Sequence, residues 1–274
     1  MTDTAKSPTA THATATFYTD HWKVIESERL ARYEQMFVWR PEQARLLEPA
    51  AIAPGQRVLD LGSGPGFFSL ALADMVGRTG AVHGVDINAR FVADARARAS
   101  QRGLANVHFH HVDGSTLPLE NGAVDRVIAK NVLEYVPDLP ATLSEAVRVL
   151  APGGKLHAID SDWGFVIVEP WGKATVDRFF AAAAPAFREP HIGRKLPAAF
   201  HEVGLHDIDV RVVPIVDRTG ALLSVLRNMR SYIRAFATMP DAEVDGLLAA
   251  AERGIADGTY MACLPQFLVT GTRT

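Results

Sequence analysis

The sequence predicts an α/β protein built on a doubly wound, mostly parallel sheet of seven strands. Three observations carry this prediction. Short apolar segments alternate with longer helical segments from about residue 53 onwards. A glycine-rich loop, Gly62–Gly66, follows the first apolar segment, and Asp86 ends the second. This order of strand, glycine loop and acid is typical of nucleotide-binding sheets.

The predicted strands are short, apolar and bounded by turn residues. In chain order they lie at 57–61, 81–86, 107–112, 124–129, 155–159, 207–216 and 267–271. The predicted helices between them lie at 67–76, 89–101, 139–150, 174–187, 221–236 and 241–256. Because parallel strands need long crossover connections, we expect the helices to cover both faces of the sheet.

The chain divides into three predicted regions. Residues 1–16 are mostly Thr, Ala, Ser and Pro, which predicts a disordered leader. Residues 17–49 carry apolar side chains at helical spacing, which predicts an N-terminal helical cap with Pro41 between two helices. Residues 50–274 form the predicted main domain, in which 161–205 are an irregular insertion after the fifth strand, suited to a lid over a substrate.

Composition excludes several classes of function. Twenty-eight basic and 31 acidic side chains give a net charge of −3, which does not favour nucleic acid or an anionic membrane as partner. The single cysteine, Cys263, excludes an intrachain disulfide and a cysteine-cluster metal site. The sequence carries no apolar run long enough for a membrane helix and no signal-peptide pattern at its start. We therefore predict a cytoplasmic protein.

The glycine loop predicts a ligand site. Glycine permits positive φ angles and lets a ligand approach the backbone, because no Cβ intervenes. Asp86 stands twenty residues after Gly66, at the distance where an acid hydrogen-bonds a ribose hydroxyl in doubly wound sheets. Together they favour an adenosine-type ligand. The alternative is a tight turn followed by an ordinary solvent-facing aspartate.

The spacing within the loop indicates which nucleotide is bound. The dinucleotide fingerprint is G-x-G-x-x-G, whereas Gly62–Gly66 has the pattern G-x-G-x-G. Asp60 precedes the loop, where a carboxylate suits an ammonium group better than a pyrophosphate. The pattern therefore favours a zwitterionic, sulfonium-bearing adenosine over NAD.

Four segments, the first of which contains the glycine loop, extend the pattern into a family resemblance. VLDLGSGPG at 58–66, Asp113–Gly114 after the third strand, DRVIAKNVLEYVPD at 125–138 and LAPGGKLHAID at 150–160 occur in this order. Together they resemble the class I S-adenosylmethionine-dependent methyltransferases, most closely the small-molecule enzymes of the ubiquinone/menaquinone and natural-product type. The resemblance covers about residues 50–165 and implies S-adenosylmethionine as cofactor.

The resemblance also implies a set of cofactor-binding residues: Asp60, Gly62, Ser63, Gly64, Gly66, Asp86, Ile87, Asp113, Gly114 and Asn131. The glycine loop would approach the amino-acid moiety, with Asp60 near its ammonium. Asp86 would hydrogen-bond the ribose hydroxyls, and Ile87 would pack against the adenine. Asp113 would accept a hydrogen bond from the adenine amino group. Asn131 would lie beneath the sulfonium. A turn-forming Asp113 and a helix-capping Asn131 are the structural alternatives.

Four residues are candidates for catalysis on the acceptor side. Asp162 follows the fifth strand and suits a base or an anchor for a cationic acceptor, with Trp163 as a flat wall. His191 lies in a segment flanked by proline and glycine and titrates in a useful range. Tyr18 and His21 belong to the predicted N-terminal helices. The structural alternatives are a turn formed by Asp162, a surface position for His191, and packing of Tyr18 and His21 in an aromatic core.

No metal site is predicted. His108 and His110 share one face of a strand while His111 points to the other, and no carboxylate or cysteine pattern completes a set of ligands.

We therefore predict methyl transfer to oxygen, nitrogen or carbon of a small molecule, in secondary metabolism, by a monomer or homodimer. The alternatives are a non-methylating reaction in natural-product biosynthesis on the same cofactor site and, in a third class, a non-catalytic binding module or an NAD-dependent oxidoreductase.

Overall fold

The computed structural model of the chain describes residues 16–25, 37–114 and 116–274. In these ranges eight strands join in one sheet. The strands are β1 (Arg57–Leu61), β2 (Ala81–Asp86), β3 (Val107–His111), β4 (Val124–Lys130), β5 (Leu150–Ser161), β6 (Ile167–Glu169), β7 (Leu205–Asp217) and β8 (Met261–Arg273).

The α-helices and 3-10 helices alternate with these strands. The α-helices are α1 (Phe17–Lys23), α2 (Phe67–Val76), α3 (Ala89–Gln101), α4 (Leu139–Val149), α5 (Lys173–Ala183), α6 (Ile192–Glu202), α7 (Leu223–Phe236) and α8 (Asp241–Asp257). The 3-10 helices are Pro41–Ala50, Leu133–Tyr135, Trp163–Phe165 and Ala184–Ala186.

The sheet has the predicted doubly wound form. Strands β3, β2, β1, β4 and β5 lie side by side in that order and are parallel. Strand β8 runs antiparallel to β5 and also pairs with β6 and β7. The prediction of a mostly parallel α/β sheet is confirmed. The eighth strand, β6, has three residues and is too short to give a recognisable sequence pattern.

Successive side chains along each strand point to opposite faces of the sheet, and they form one core on each face. Leu59 and its neighbours on one face pack against α4 and α6. Val58 and its neighbours on the other face pack against α2, α3 and the 3-10 helix Pro41–Ala50. Both residues are completely buried. The apolar run of β1 is therefore a strand buried on both faces, as parallel sheets require.

A third core lies beyond the sheet and forms what we call the cap, residues 163–187 and 222–260. It unites the segment after β5 with the two helices after β7. Phe179 and Tyr232 lie at its centre with no exposed surface. Helix α1 packs on it through Phe17, whose ring meets those of Phe236 and Tyr232 edge-on. The cap thus combines two insertions that are far apart in sequence.

The predicted lid insertion 161–205 contributes to two layers. Its first part belongs to the cap, whereas α6 packs on the sheet through Ile192, Leu196 and Phe200, which recur every four residues along one helix face. The predicted leader and part of the predicted N-terminal cap lie outside the described residues. The domain boundaries stay predictions. None of the helices in the described ranges combines the length and apolar character that a membrane crossing requires.

Candidate active site

A cavity of about 440 Å³ lies at the carboxyl ends of the parallel strands, beneath the cap and α1. The loops after β1, β2, β3 and β4 form one side of it. The cap, α1 and β8 form the other. Of the predicted cofactor residues, those that line the cavity are Asp60, Gly62, Ser63, Gly64, Asp86, Ile87, Asp113, Gly114 and Asn131. Residues from four separate loops therefore converge on one cavity.

The three glycines of the loop have positive φ angles but different surroundings. A Cβ on Gly62 would lie 2.6 Å from the Cγ2 atom of Val132, and one on Gly66 would lie 2.7 Å from the Cβ atom of Ala95. A Cβ on Gly64 would meet no atom within 4 Å. Gly64 therefore faces the open cavity. Gly66 does not line the cavity and instead lets α3 approach the loop closely.

Asp86 joins the glycine loop to the end of β2. One carboxylate oxygen accepts a hydrogen bond from the backbone N–H of Gly64 at 2.8 Å, and the other accepts one from Asn88 N–H at 2.8 Å. Burial raises the pKa of this carboxyl, although both hydrogen bonds act in the opposite direction. The backbone of Ile87 also contributes a hydrogen bond, and because a carboxylate can accept about four, capacity remains for a ligand hydroxyl.

Two buried carboxyls and a half-buried lysine interact at the base of the cavity. Asp60 is 1% exposed and accepts a hydrogen bond from Ser69 Oγ at 2.5 Å. Burial raises its pKa to about 7. Burial lowers the pKa of Lys130, which Asp60 and Asp160 counteract. Asp160 is also completely buried, and its pKa is raised to about 7. The ammonium of Lys130 thus interacts with the carboxyls of both Asp60 and Asp160.

Asn131 follows β4 in a left-handed conformation, with φ of 52°, and its N–H donates to the carbonyl of Ile159 at 2.8 Å. The residue that caps the following 3-10 helix is Val132. The helix-capping alternative for Asn131 is therefore wrong, and its side chain lies at the cavity wall.

The opposite end of the cavity carries polar residues that sequence reasoning did not select. Glu134 is 2% exposed, and one of its carboxylate oxygens accepts a hydrogen bond from Trp163 Nε1 at 2.7 Å. Gln266, on β8, donates through Nε2 to Ser161 Oγ at 2.9 Å. All four residues line the cavity, including Trp163, the predicted wall. Only the three-dimensional packing of β8 against β5 brings Gln266 to the site.

Asp162, a predicted catalytic residue, lies outside the cavity lining. Its buried carboxylate is held by Arg194 Nε at 2.5 Å, Arg194 Nη2 at 2.7 Å, His191 Nδ1 at 3.1 Å and the N–H of Gly164 at 3.0 Å. Burial alone would raise its pKa, but these hydrogen bonds outweigh burial and hold the pKa below its usual range. Asp162 and His191 therefore join α6 to the start of the cap.

Tyr18 and His21 also lie outside the cavity lining. The ring of His21 is buried, with Nδ1 against the carbonyl of Phe17 and Nε2 at 3.2 Å from the hydroxyl of Tyr232. The guanidinium of Arg188 lies over the ring of Tyr18, 5.8 Å from its centre. These contacts correspond to the packing alternative. In the described part of the chain, no group of three His, Cys, Asp or Glu side chains is arranged to hold a metal ion.

Fold and cavity define a nucleotide-binding α/β protein, and comparison with known proteins narrows this class. The sequence profile of the family described as "Methyltransferase domain" matches residues 52–189, about half of the chain. The chain belongs to this family. The predicted resemblance to the small-molecule methyltransferases is thereby confirmed.

Curated relatives agree with the family assignment. An arsenite methyltransferase of Aquipseudomonas alcaligenes is 41% identical over 117 residues, which cover 40% of this chain and 34% of that protein. A demethylmenaquinone methyltransferase of Bacillus cytotoxicus is 30% identical over 142 residues, which cover 52% of this chain and 58% of that protein. The matches thus span between about a third and three fifths of these relatives.

Solved structures share the fold. Phosphoethanolamine N-methyltransferase 2 of Haemonchus contortus, solved in complex with S-adenosyl-L-methionine, superposes with a TM-score of 0.64. The superposition covers 93% of this chain and 60% of that chain, at 18% sequence identity. At this identity the likeness extends to the fold alone.

Proposed function

We propose that this protein transfers the methyl group of S-adenosylmethionine to a small, largely apolar acceptor. One observation carries the proposal: Gly64 and Asp86 are hydrogen-bonded to each other at a wall with open space above Gly64. A backbone that no Cβ obstructs, next to a carboxylate with free lone pairs, fits an adenosine ligand. Membership in the methyltransferase domain family supports the same conclusion.

The cofactor fits the charges of the site. Asp60 offers a buried carboxylate next to the glycine loop, where an ammonium group of the ligand would be stabilised. We assign the ribose hydroxyls to Asp86 and the adenine to Ile87 and Asp113, with Gly114 supplying a neighbouring N–H. We assign the space beside Asn131 to the sulfonium. When bound, the cofactor supplies an activated methyl carbon, so positioning of the acceptor carries much of the catalysis.

The acceptor end of the cavity is mostly apolar. Its walls include the rings of Trp22, Phe37, Tyr135 and Trp163, with Met229 from α7. Aromatic and thioether walls favour a hydrophobic acceptor over a strongly hydrated one. Three statements about the whole protein stay predictions: its role in secondary metabolism, its cytoplasmic location and its monomeric or homodimeric state.

Isothermal titration tests the cofactor assignment. We expect S-adenosylmethionine and S-adenosylhomocysteine to bind with micromolar affinity (~10⁻⁶ M), and NAD not to bind. Asp86→Ala should weaken both by tenfold or more. Asp94→Ala, which removes a half-buried aspartate of α3 outside the cavity lining, is the matched control and should bind as the wild type. Binding of NAD alone, or equal affinities for the two variants, would contradict the proposal.

A chemical assay separates methyl transfer from a non-methylating use of the same site. Transfer produces one S-adenosylhomocysteine for each methylated acceptor, which chromatography of the reaction mixture measures directly. A product formed without S-adenosylhomocysteine would overturn methyl transfer while leaving the cofactor assignment in place.

A further inference from the structure

Glu134 differs from the other acidic residues of the cavity wall. Asp60, Asp86 and Asp113 lie at or just beyond the carboxyl ends of β1, β2 and β3, on the side proposed for the cofactor. Asp138 caps α4 by accepting a hydrogen bond from Ala141 N–H at 2.9 Å. Glu134 lies after β4, next to the cap. Among the described residues of the wall it is the carboxyl placed at the acceptor end.

The surroundings of Glu134 suit a group that exchanges a proton. Trp163 Nε1 donates to it at 2.7 Å and fixes its orientation. Burial and the neighbouring carboxyl of Asp160 raise its pKa well above the usual range, although hydrogen bonds with Trp163 and Tyr135 act in the opposite direction. A glutamate with a raised pKa is a stronger base, once ionised, than an ordinary exposed glutamate.

The other polar side chains named at this end of the cavity wall are uncharged. Gln266 and Ser161 are hydrogen-bonded to each other at the same end of the cavity. Two lysines occur among the described wall residues, and both are engaged. Lys130 is half-buried and feels the charges of the neighbouring carboxyls of Asp60 and Asp160, and Lys23 pairs with Asp20 at 3.1 Å. Each described lysine of the wall thus already has acidic neighbours, which does not favour a phosphate or carboxylate on the acceptor.

Building on the proposed function, we propose that the acceptor is an uncharged, largely apolar molecule with a hydroxyl or amine group, and that Glu134 receives its proton. The acceptor oxygen or nitrogen forms a bond to the methyl carbon while the carbon–sulfur bond breaks. The electron pair of that bond stays on sulfur. The proton of the acceptor moves to the Glu134 carboxylate, which becomes neutral, and is later released to solvent.

This assignment keeps the net charge of the buried cavity constant. Methyl loss removes the positive charge of the sulfonium, and protonation removes the negative charge of Glu134. An anionic Glu134 without the sulfonium would be an uncompensated buried charge beside Asp160, which is costly. A neutral protic acceptor avoids this state before and after transfer.

Three para-substituted ethylbenzenes test the acceptor class by titration into the complex with S-adenosylhomocysteine. They are 4-ethylphenol, 4-ethylanisole, which lacks the proton, and 4-ethylbenzoate, which carries a charge. We expect 4-ethylphenol to bind at least tenfold more tightly than 4-ethylbenzoate, and 4-ethylanisole to bind more weakly than 4-ethylphenol. Tighter binding of the benzoate, or failure of 4-ethylphenol to bind, would overturn the acceptor class.

Glu134→Gln tests the proton transfer. We expect a loss of about 10²–10⁴-fold in methylation of 4-ethylphenol, with the phenol dissociation constant within threefold of wild type. The rise of the rate with pH should disappear, and Glu134→Asp should restore part of both. Glu189→Gln, outside the cavity lining, is the matched control. A Gln variant with wild-type rate and pH profile would overturn the role of Glu134. So would a wild-type protein that binds 4-ethylphenol without methylating it.

Titration of S-adenosylhomocysteine alone separates this inference from the proposed function. Glu134→Gln should bind it within twofold of wild type, since none of the proposed cofactor contacts involves the Glu134 side chain. Failure of the wild type to bind S-adenosylhomocysteine would refute the proposed function itself. Normal cofactor binding with the outcomes named above would refute only the acceptor inference.

Discussion

The side-chain amide of Asn88 donates a hydrogen bond to the backbone carbonyl of Trp22 at 2.8 Å, across 66 positions of the sequence. The amide oxygen of the same side chain accepts from the N–H groups of Arg90 and Phe91, and so caps α3. Its backbone N–H donates to Asp86. Asn88 therefore connects the proposed ribose-binding carboxylate to the N-terminal helix that walls the acceptor end.

Asn88→Asp should release α1 without disturbing α3. Aspartate caps a helix as well as asparagine does, but it has no N–H to donate to Trp22. We expect the free energy of unfolding to change by less than about 1 kcal/mol, while tryptic cleavage after Lys23 becomes several-fold faster. Mass spectrometry of the released fragments measures the rate. Equal cleavage of Asn88→Asp and wild type would show that this bond does not hold α1.

Alanine at two positions of the glycine loop should separate folding from binding. At Gly66 the new methyl group would overlap the side chain of Ala95, and the φ angle of 89° adds strain. We expect Gly66→Ala to lower the free energy of unfolding by about 2–4 kcal/mol. At Gly64 the strain remains but no atom is close, so the loss should be about 1 kcal/mol.

The two glycine variants should rank in the opposite order when the loss of cofactor affinity is measured instead of the loss of stability. The methyl group of Gly64→Ala occupies ligand space, so S-adenosylhomocysteine should bind at least tenfold more weakly. Gly66→Ala, assayed where it is folded, should bind nearly as the wild type. Urea unfolding and calorimetric titration measure the two properties. A Gly64→Ala variant that binds normally would contradict the placement of the ligand against this loop.

Local sequence patterns predict the parallel half of the fold well. The apolar run 57–61 and the glycines after it form β1 and its loop as predicted, because a strand buried on both faces and a positive φ leave clear traces in a sequence. Strand β8 extends over Met261–Arg273, well beyond the predicted 267–271. Its length depends on pairing with β7, which a local pattern does not contain.

The residues of the candidate site also divide into those that a local sequence pattern predicts and those that it does not. Asp86 could be placed because its role follows from its distance to the glycine loop along the chain. Glu134 and Gln266 could not, because they meet only when the cap and β8 have packed. Asp162 has the right position in sequence, but Arg194, 32 residues later, turns it away from the cavity into an ion pair. Long-range pairing thus decided which acids reach the cavity.

The affinity for S-adenosylmethionine should rise with pH through the titration of Asp60. The pKa of this carboxyl is raised to about 7 by burial, and only its ionised form stabilises the ligand ammonium. Between about pH 6 and pH 8 the ionised fraction rises about tenfold, and the affinity should follow. Asp60→Asn should bind weakly at both values. Methylthioadenosine, which lacks the ammonium, is the control ligand and should show no such dependence. A flat profile for S-adenosylmethionine would contradict the contact.

His157 should make folding sensitive to acid. Its imidazole is completely buried in β5, with Nε2 donating to the carbonyl of Leu46 at 2.8 Å and Nδ1 accepting from Thr270 Oγ1 at 2.7 Å. Burial lowers the pKa from 6.5 to about 4, although the bond to Leu46 opposes the shift. Between these values the unfolded chain binds a proton that the folded chain does not, so stability falls as the pH falls.

The difference between wild type and His157→Gln isolates this effect. Asp60 and Asp160 have raised pKa values and contribute in the opposite sense, since their folded forms hold a proton that the unfolded chain releases as the pH rises. Both contributions cancel in the difference. We expect the stability advantage of wild type over His157→Gln to shrink by about 2 kcal/mol between pH 7.5 and about pH 5. Urea unfolding of both proteins at each pH measures it, and a constant advantage would mean that His157 becomes protonated within the folded protein.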